Sequence, residues 1–444
     1  MAEPKRFPTV ESVLSWLESI PKFSEVGVKA ADFGLDRMID FCRRMGDPHL
    51  KIPAIHVAGT NGKGTTSQML ASMFSSAGYK TGLYTSPHLL RYNDRVRVDG
   101  VAIPDDEIHR FAMELETAFE EIPLSYFEIS TCLAFWYFAR QSCDVAIYET
   151  GLGGRLDATN VVQPLVSVIT SVSLDHSDVL GETLPEIAAE KAGIIKEGRP
   201  VVAGNLSHEA LSVVEKTVAD RGARLWRAGD LSPEWRDRHV ELTVPETRQK
   251  LVISGRNRKQ VDRWNIASVY LVSRILTDRY PNLPEVWQRG VEMVDERFPD
   301  HAHFQRLHPY RHWYFDGAHN PEAMQTLMQE VSDLEKQLKM EPLFILSFMK
   351  DKLSEQLLEN FHPYRYVYYI EGRTERHASC DQVREGIPQA KCIVDGVHDL
   401  AGMMGECKTE LVIFAGSLYF YKQVKHWMAS QPPSDNYHHP ELRL

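Results

Sequence analysis

The run Val57-Ala58-Gly59-Thr60-Asn61-Gly62-Lys63-Gly64-Thr65-Thr66 constrains this chain more than any other. An apolar stretch from Ile52 to Ala58 leads into it, and a helical pattern from Thr65 to Ala77 leaves it. Strand, glycine-rich turn and helix in that order form a phosphate cradle. Glycines let the backbone wrap closely, loop amides point inward, and the helix N-terminus adds positive potential. Lys63 brings a full charge, and Thr65 or Thr66 brings a hydroxyl suited to Mg²⁺. Gly64 separates the lysine from the threonines, so the common phosphate-loop spacing is not met. Taken alone, the run also reads as a glycine-rich connection with an incidental lysine.

The same grammar recurs along the chain. Short apolar runs at Thr81 to Tyr84, Val145 to Tyr148, Val166 to Ile169 and Pro200 to Ala203 alternate with helical patterns such as Phe127 to Arg140 and Leu184 to Lys191. Alternating apolar strands and helices predict an α/β protein with a mostly parallel sheet covered on both faces. Such sheets bind ligands beyond the carboxyl ends of their strands. Weaker strand signals at Val240 to Val244 and Lys250 to Ile253 precede a helix over Asn265 to Thr277. A second α/β series follows Phe298-Pro299, with strands at Trp313 to Phe315, Leu343 to Leu346, Tyr366 to Ile370 and Leu411 to Ala415, and a helix over Pro321 to Leu338. The chain is therefore expected to form a large phosphate-loop domain over 1–296 and a smaller Rossmann-like domain over 297–430. Residues 431–444, with Pro-Pro and two histidines, are expected to be a flexible tail.

Several polar residues fall at predicted strand ends. Glu149 precedes a glycine turn, where a carboxylate can hold Mg²⁺ or simply close a strand. His176 follows Asp175 after another strand, and a lone histidine is more often a packing or surface residue. Ser86 in Thr85-Ser86-Pro87-His88 reads alone as a cap of a helix or turn. Lys191 reads alone as a solvated helix-face lysine. Asp316-Gly317-Ala318-His319-Asn320-Pro321 reads alone as a strand–helix turn with a capping asparagine.

Val57 to Thr65 resembles the nucleotide loop of folylpolyglutamate synthases and dihydrofolate synthases, ATP-dependent amide ligases of the Mur ligase superfamily. Leu83 to Leu89, Tyr148 to Asn160, Leu174 to Ile195 and Asp316 to Pro321 match in the same order, so the resemblance spans nearly the whole chain. It implies that Gly59, Thr60, Asn61, Gly62, Lys63, Gly64, Thr65 and Thr66 bind ATP. It further implies that Ser86, Glu149 and His176 hold Mg²⁺, and that Lys191 is carbamylated and serves a second Mg²⁺. Asn265 corresponds to an asparagine on the adenine side, and Asp316 to an aspartate on the nucleotide. His319 and Ser417 correspond to residues near the incoming glutamate, with Lys63, Lys191 and His319 as the catalytic set. Phe33 to Met38 resembles the entry helix near a pterin pocket.

One departure stands out. The family has Pro-Gly-Arg-Phe/Leu-Gln/Glu at the domain boundary, its arginine reaching ATP phosphates. Here Phe298-Pro299-Asp300-His301-Ala302-His303-Phe304-Gln305 puts His303 at that place, a shorter and mostly neutral side chain. The implied reaction is ATP-dependent joining of L-glutamate to folate, to dihydropteroate, or to both, through an acyl phosphate. A Mur-type ligase with another acceptor, or a nucleotide-binding member with impaired ligase activity, are the alternatives.

Charge bounds the partners. With 50 Lys and Arg against 61 Asp and Glu, the formal charge is −11, which argues against a broad nucleic-acid or anionic-membrane face. The anionic substrates must instead be compensated locally. No uncharged apolar run reaches about 18 residues, and the six cysteines show no C-x-x-C spacing. A cytoplasmic monomer with reduced cysteines, binding small molecules only, is the expectation.

Overall fold

In a computed structural model the protein is described over residues 7–21, 34–255, 258–372, 376–393 and 400–430. The expected tail over 431–444 and Phe33 lie outside the described residues. The chain divides into two compact units, residues 1–301 and 302–444. Among the described residues no helix is long and apolar enough to cross a membrane.

The first unit opens with α1 (Val10–Ser19) and α2 (Asp36–Arg44). Its main sheet is built from β1 (Ala54–Ala58), β2 (Thr81–Tyr84), β3 (Val96–Val98), β4 (Val101–Ala102), β5 (Val145–Glu149), β6 (Pro164–Ser171), β7 (Val201–Asn205) and β8 (Leu225–Arg227). Their spatial order is β4-β3-β2-β5-β1-β6-β7-β8. Pairing is parallel from β2 to β8, and β3 alone runs the other way, pairing antiparallel with both β2 and β4. Every residue of β1 and of β5 is buried, so burial does not alternate along them. Both faces are covered by helices, which is why these strands read as continuous apolar runs.

The covering helices include α3 (Lys63–Ser76), α4 (Tyr126–Arg140), α5 (Leu184–Ala192), α6 (Asp262–Ile275) and α7 (Leu283–Glu292). Ser125 caps α4 in a reciprocal box with Glu128. Arg37 of α2 in turn donates to both oxygens of Glu128, tying α2 to α4. Gly290 of α7 lies against the backbone of Met73 in α3, where a Cβ would collide. Gly290→Leu is therefore expected to destabilise the unit by about 1–3 kcal/mol through overpacking; urea unfolding would check this, and an unchanged midpoint would refute it. A separate antiparallel sheet of β9 (Glu234–Arg236), β10 (His239–Thr243) and β11 (Lys250–Ser254) has the order β11-β10-β9.

The second unit carries β12 (Gln305–Arg306), β13 (His312–Asp316), β14 (Leu343–Ser347), β15 (Tyr366–Ile370), β16 (Lys391–Ile393) and β17 (Leu411–Gly416). The order is β12-β13-β17-β14-β15-β16, parallel except for β12. Helices α8 (Pro321–Leu338) and α9 (Leu418–Ser430) pack on it. Asn320 caps α8 by accepting from the Ala323 amide.

One expectation is corrected here. Cys380 and Cys392 form a disulfide, with Cα atoms 5.9 Å apart, while Cys42, Cys132, Cys143 and Cys407 are free and buried. The fold returns the chain so that the two residues meet, a proximity that their spacing in sequence does not reveal.

Candidate active site

The four adjacent strands β2, β5, β1 and β6 run parallel, so their carboxyl ends share one edge of the sheet. Ser86 follows β2, Glu149 ends β5, the loop 59–62 follows β1, and the segment to His176 follows β6. Residues far apart in sequence thus converge where a doubly covered parallel sheet places its ligands.

The loop is tightly held. Lys63 Nζ donates to the Gly59 carbonyl at 3.0 Å and to the Thr60 carbonyl at 3.1 Å. Gly62 has φ +83° and precedes α3, whose first residues include buried Thr65 and Thr66. A side chain at Gly62 would press on Asn265, with its Cβ 2.7 Å from Oδ1. Asn265 Oδ1 accepts from Thr66 Oγ1 at 3.2 Å, and its Nδ2 donates to Asp262 Oδ1 at 2.9 Å. A carboxylate only accepts, so Asp262 determines which end of the Asn265 amide faces the loop. Asp262 carried no signal of its own in the sequence.

Glu149 is 5% exposed and accepts from the Ser86 amide at 3.2 Å. Burial raises its carboxyl to about 7, against the opposing pull of Lys63 and the Ser86 amide. Lys191 of α5 is 2% exposed, and burial together with the charge of Lys63 lowers its amine to about 7, with Asp175 opposing. The site therefore holds a carboxylate and an amine that both approach neutrality near pH 7. His176 sits in a left-handed conformation (φ +50°), its amide bonded to Asp175 Oδ1 at 2.9 Å.

Asp157, quoted in the sequence only as part of a run, organises the turn after Glu149. It accepts from the Gly151 and Leu152 amides and from the amide and hydroxyl of Thr159. Thr159 also bonds His56 in β1, whose imidazole burial drives down to about 3.

Among the described residues no three His, Cys, Asp or Glu side chains converge as a metal-binding group. Two oxygen donors at these strand ends are nevertheless suited to a hard cation, a buried carboxylate at Glu149 and a half-buried hydroxyl at Ser86. A buried carboxylate driven toward its neutral form is a place where added positive charge is stabilising.

In the second unit, Asp316 is 1% exposed, and its two oxygens accept from the Phe304 amide at 2.7 Å and the Ala318 amide at 2.9 Å. It therefore fastens the boundary segment to the turn before α8. That segment is bent by left-handed Ala302 and Phe304, which flank half-buried His303. His319 Nδ1 faces the Gly317 carbonyl at 2.7 Å, so Nδ1 carries the proton. Ser417, 4% exposed, receives the Tyr419 amide at Oγ as α9 begins. Asp316 and Ser417 lie at the ends of the adjacent parallel strands β13 and β17.

The chain is similar to known proteins along nearly its whole length. Residues 57–273 match the Mur ligase middle domain. The dihydrofolate synthase/folylpolyglutamate synthase of Bacillus subtilis is 31% identical over 443 residues, covering 94% of this chain and 99% of that protein. The folylpolyglutamate synthase of Lacticaseibacillus casei is 29% identical, covering 93% and 97%. A solved structure of E. coli FolC in complex with DHPP and ADP superposes with a TM-score of 0.80 and 30% identity, covering 96% of this chain and 99% of that one. A solved complex of FPGS with AMPPCP and folate gives 0.77 and 26%, covering 95% and 99%.

Proposed function

This chain belongs to the dihydrofolate synthase/folylpolyglutamate synthase family, and from that premise we infer that it is an ATP-dependent ligase joining L-glutamate to a folate-type carboxylate. The observation that carries the reading is the convergence of the glycine loop, Lys63, Ser86 and Glu149 at one edge of the main sheet. We extend it to two acceptors, folate and dihydropteroate.

The Gly62 amide, the first amides of α3 and the Lys63 ammonium would cradle the ATP phosphates and orient the γ-phosphate. The substrate carboxylate oxygen attacks γ-phosphorus, the bond to the bridging oxygen breaks, and ADP leaves. The glutamate amine then attacks the acyl carbon of the acyl phosphate, forming the amide and releasing phosphate and a proton. Ser86, Glu149 and His176 would hold Mg²⁺, which neutralises phosphate charge during transfer. Lys191, as a carbamate, would add the anionic oxygen ligand that a second Mg²⁺ needs. By the same resemblance Thr65, Thr66, Asn265, Asp316 and His303 are assigned to the nucleotide, and His319 and Ser417 to glutamate.

Purified protein with Mg²⁺-ATP and radiolabelled glutamate is expected to incorporate label into both dihydropteroate and tetrahydrofolate. Incorporation into one alone narrows the acceptor. Nucleotide binding without incorporation into either would overturn the reading, and His303→Arg would then test whether the boundary histidine is the cause.

A further inference from the structure

The end of β6 grips the phosphate loop along its whole length. Thr60 N donates to the Ser171 carbonyl at 2.9 Å, and Asn61 N to Ser171 Oγ at 2.9 Å. Thr60 Oγ1 donates to the Ser173 carbonyl at 3.2 Å and accepts from Ser173 N at 3.0 Å. Two hydroxyls converge on one carbonyl: Thr170 Oγ1 donates to Asn61 O at 2.6 Å, and Ser171 Oγ donates to it at 3.0 Å. Both side chains are buried, Thr170 at 2% and Ser171 at 8% exposure.

We propose that Thr170 and Ser171 are positioning residues that lock the Asn61–Gly62 peptide so that its amide faces the bound phosphates. In a trans peptide the carbonyl and the following N–H point in opposite directions. Drawing the Asn61 oxygen back onto β6 therefore turns the Gly62 N–H away from β6. Gly62, at φ +83°, is a glycine whose peptide could otherwise turn over at small steric cost. The turned-over form would present a carbonyl oxygen to an anion. The neighbouring carbonyls of Gly59 and Thr60 are held by Lys63, so Asn61 is the carbonyl for which the lysine provides no partner. Gly59 belongs to the same device, because Thr170 Oγ1 occupies the place its Cβ would take. No signal in the sequence pointed to these hydroxyls. They lie beyond the apolar run Val166 to Ile169, and only the pairing of β1 with β6 brings them to the loop.

This proposal rests on the loop being the ATP site, and the test separates the two. The full-length wild type, Thr170→Val, Ser171→Ala, the double variant and Thr170→Ser are compared by KM for ATP, KM for glutamate and melting temperature. The double variant, which removes three neutral hydrogen bonds to Asn61, is expected to raise KM for ATP roughly tenfold, with KM for glutamate nearly unchanged and melting temperature lowered by only about 1–3 °C. Thr170→Ser keeps the hydroxyl and is expected to match wild type, while Thr170→Val does not. A double variant within twofold of wild type, or equal loss in both KM values, would overturn the proposal. So would a Thr170→Ser as impaired as Thr170→Val, which would point to packing alone. If the double variant fails to fold, the Val and Ser substitutions at Thr170 decide the matter by themselves. A wild type that binds no Mg²⁺-ATP overturns the phosphate-loop reading instead.

Discussion

Glu149→Gln should cut glutamate ligation by roughly 10³-fold, the scale of losing an anionic ligand to the cation that would neutralise phosphate charge, and yet raise the melting temperature of the metal-free protein at pH 8. The two effects share one cause. Burial raises the Glu149 carboxyl from 4.5 to about 7. Between those values the native state keeps a proton that the unfolded state has released, so stability falls as pH rises through that window. Above about 7 the whole penalty of an uncompensated buried carboxylate is present. Glutamine keeps the shape and an acceptor for the Ser86 amide but carries no charge, so the penalty disappears. A rise of about 1–3 °C at pH 8 is expected, vanishing near pH 4.5. Thermal melts in chelator at the two pH values check the stability half, and steady-state ligation the other. A variant that ligates normally, or one that melts lower at pH 8, would show that Glu149 is an ordinary strand-end residue.

Lys191 is the second large effect, with the opposite sign in pH. Lys191→Ala should reduce ligation by about 10²-fold, and short carboxylic acids such as acetate should restore part of it. Lys191→Arg should be reduced as far and not be rescued, because a guanidinium cannot take up CO₂. Burial brings the Lys191 amine from 10.5 to about 7, so at pH 8 it is mostly the neutral nucleophile. Its nitrogen would then bond to the carbon of CO₂ and release one proton, giving the proposed carbamate. Wild-type activity at limiting bicarbonate should therefore climb from pH 6 to pH 8. The stability sign also differs from that of Glu149. The unfolded amine holds its proton up to about 10.5 while the folded one has lost it above about 7, so stability rises with pH between them. An active Lys191→Arg, or an alanine variant that no carboxylate rescues, would favour a simple cationic role.

Much of the architecture was legible because local patterns and tertiary burial agree. The strand Thr81–Tyr84 and the helix Pro321–Leu338 lie where their apolar spacing and flanking turn residues predicted them. The helix carrying Asn265 begins earlier than its apolar pattern suggested, at Asp262, whose buried carboxylate accepts from the Lys259 amide in the turn before it. The strand Lys391–Ile393 escaped notice because it is a three-residue edge strand, too short for any alternation to register. Asp157, Asp262 and Thr170 were equally silent. Each acts through hydrogen bonds to backbone or amide groups, which leave no periodicity and no motif of their own.

By itself the sequence determined the local chemistry: a strand, a glycine turn with Lys63, and a helix, followed at intervals by a serine, a glutamate and a histidine at strand ends. Those are short-range facts, dictated by φ/ψ freedom, helix capping and side-chain type. Only the tertiary structure decided that β2, β5, β1 and β6 are neighbours, bringing Ser86, Glu149 and the loop to one edge. Strand order depends on which crossovers bury the most apolar surface, a sum over the whole sheet rather than a property of any segment. The same long-range burial brings the Glu149 carboxyl and the Lys191 amine to about 7 from opposite directions, and sets the hydroxyls of β6 against the loop. Desolvation and hydrogen-bond partners are supplied by residues a hundred or so positions away, which is why neither could be read from the neighbours in sequence.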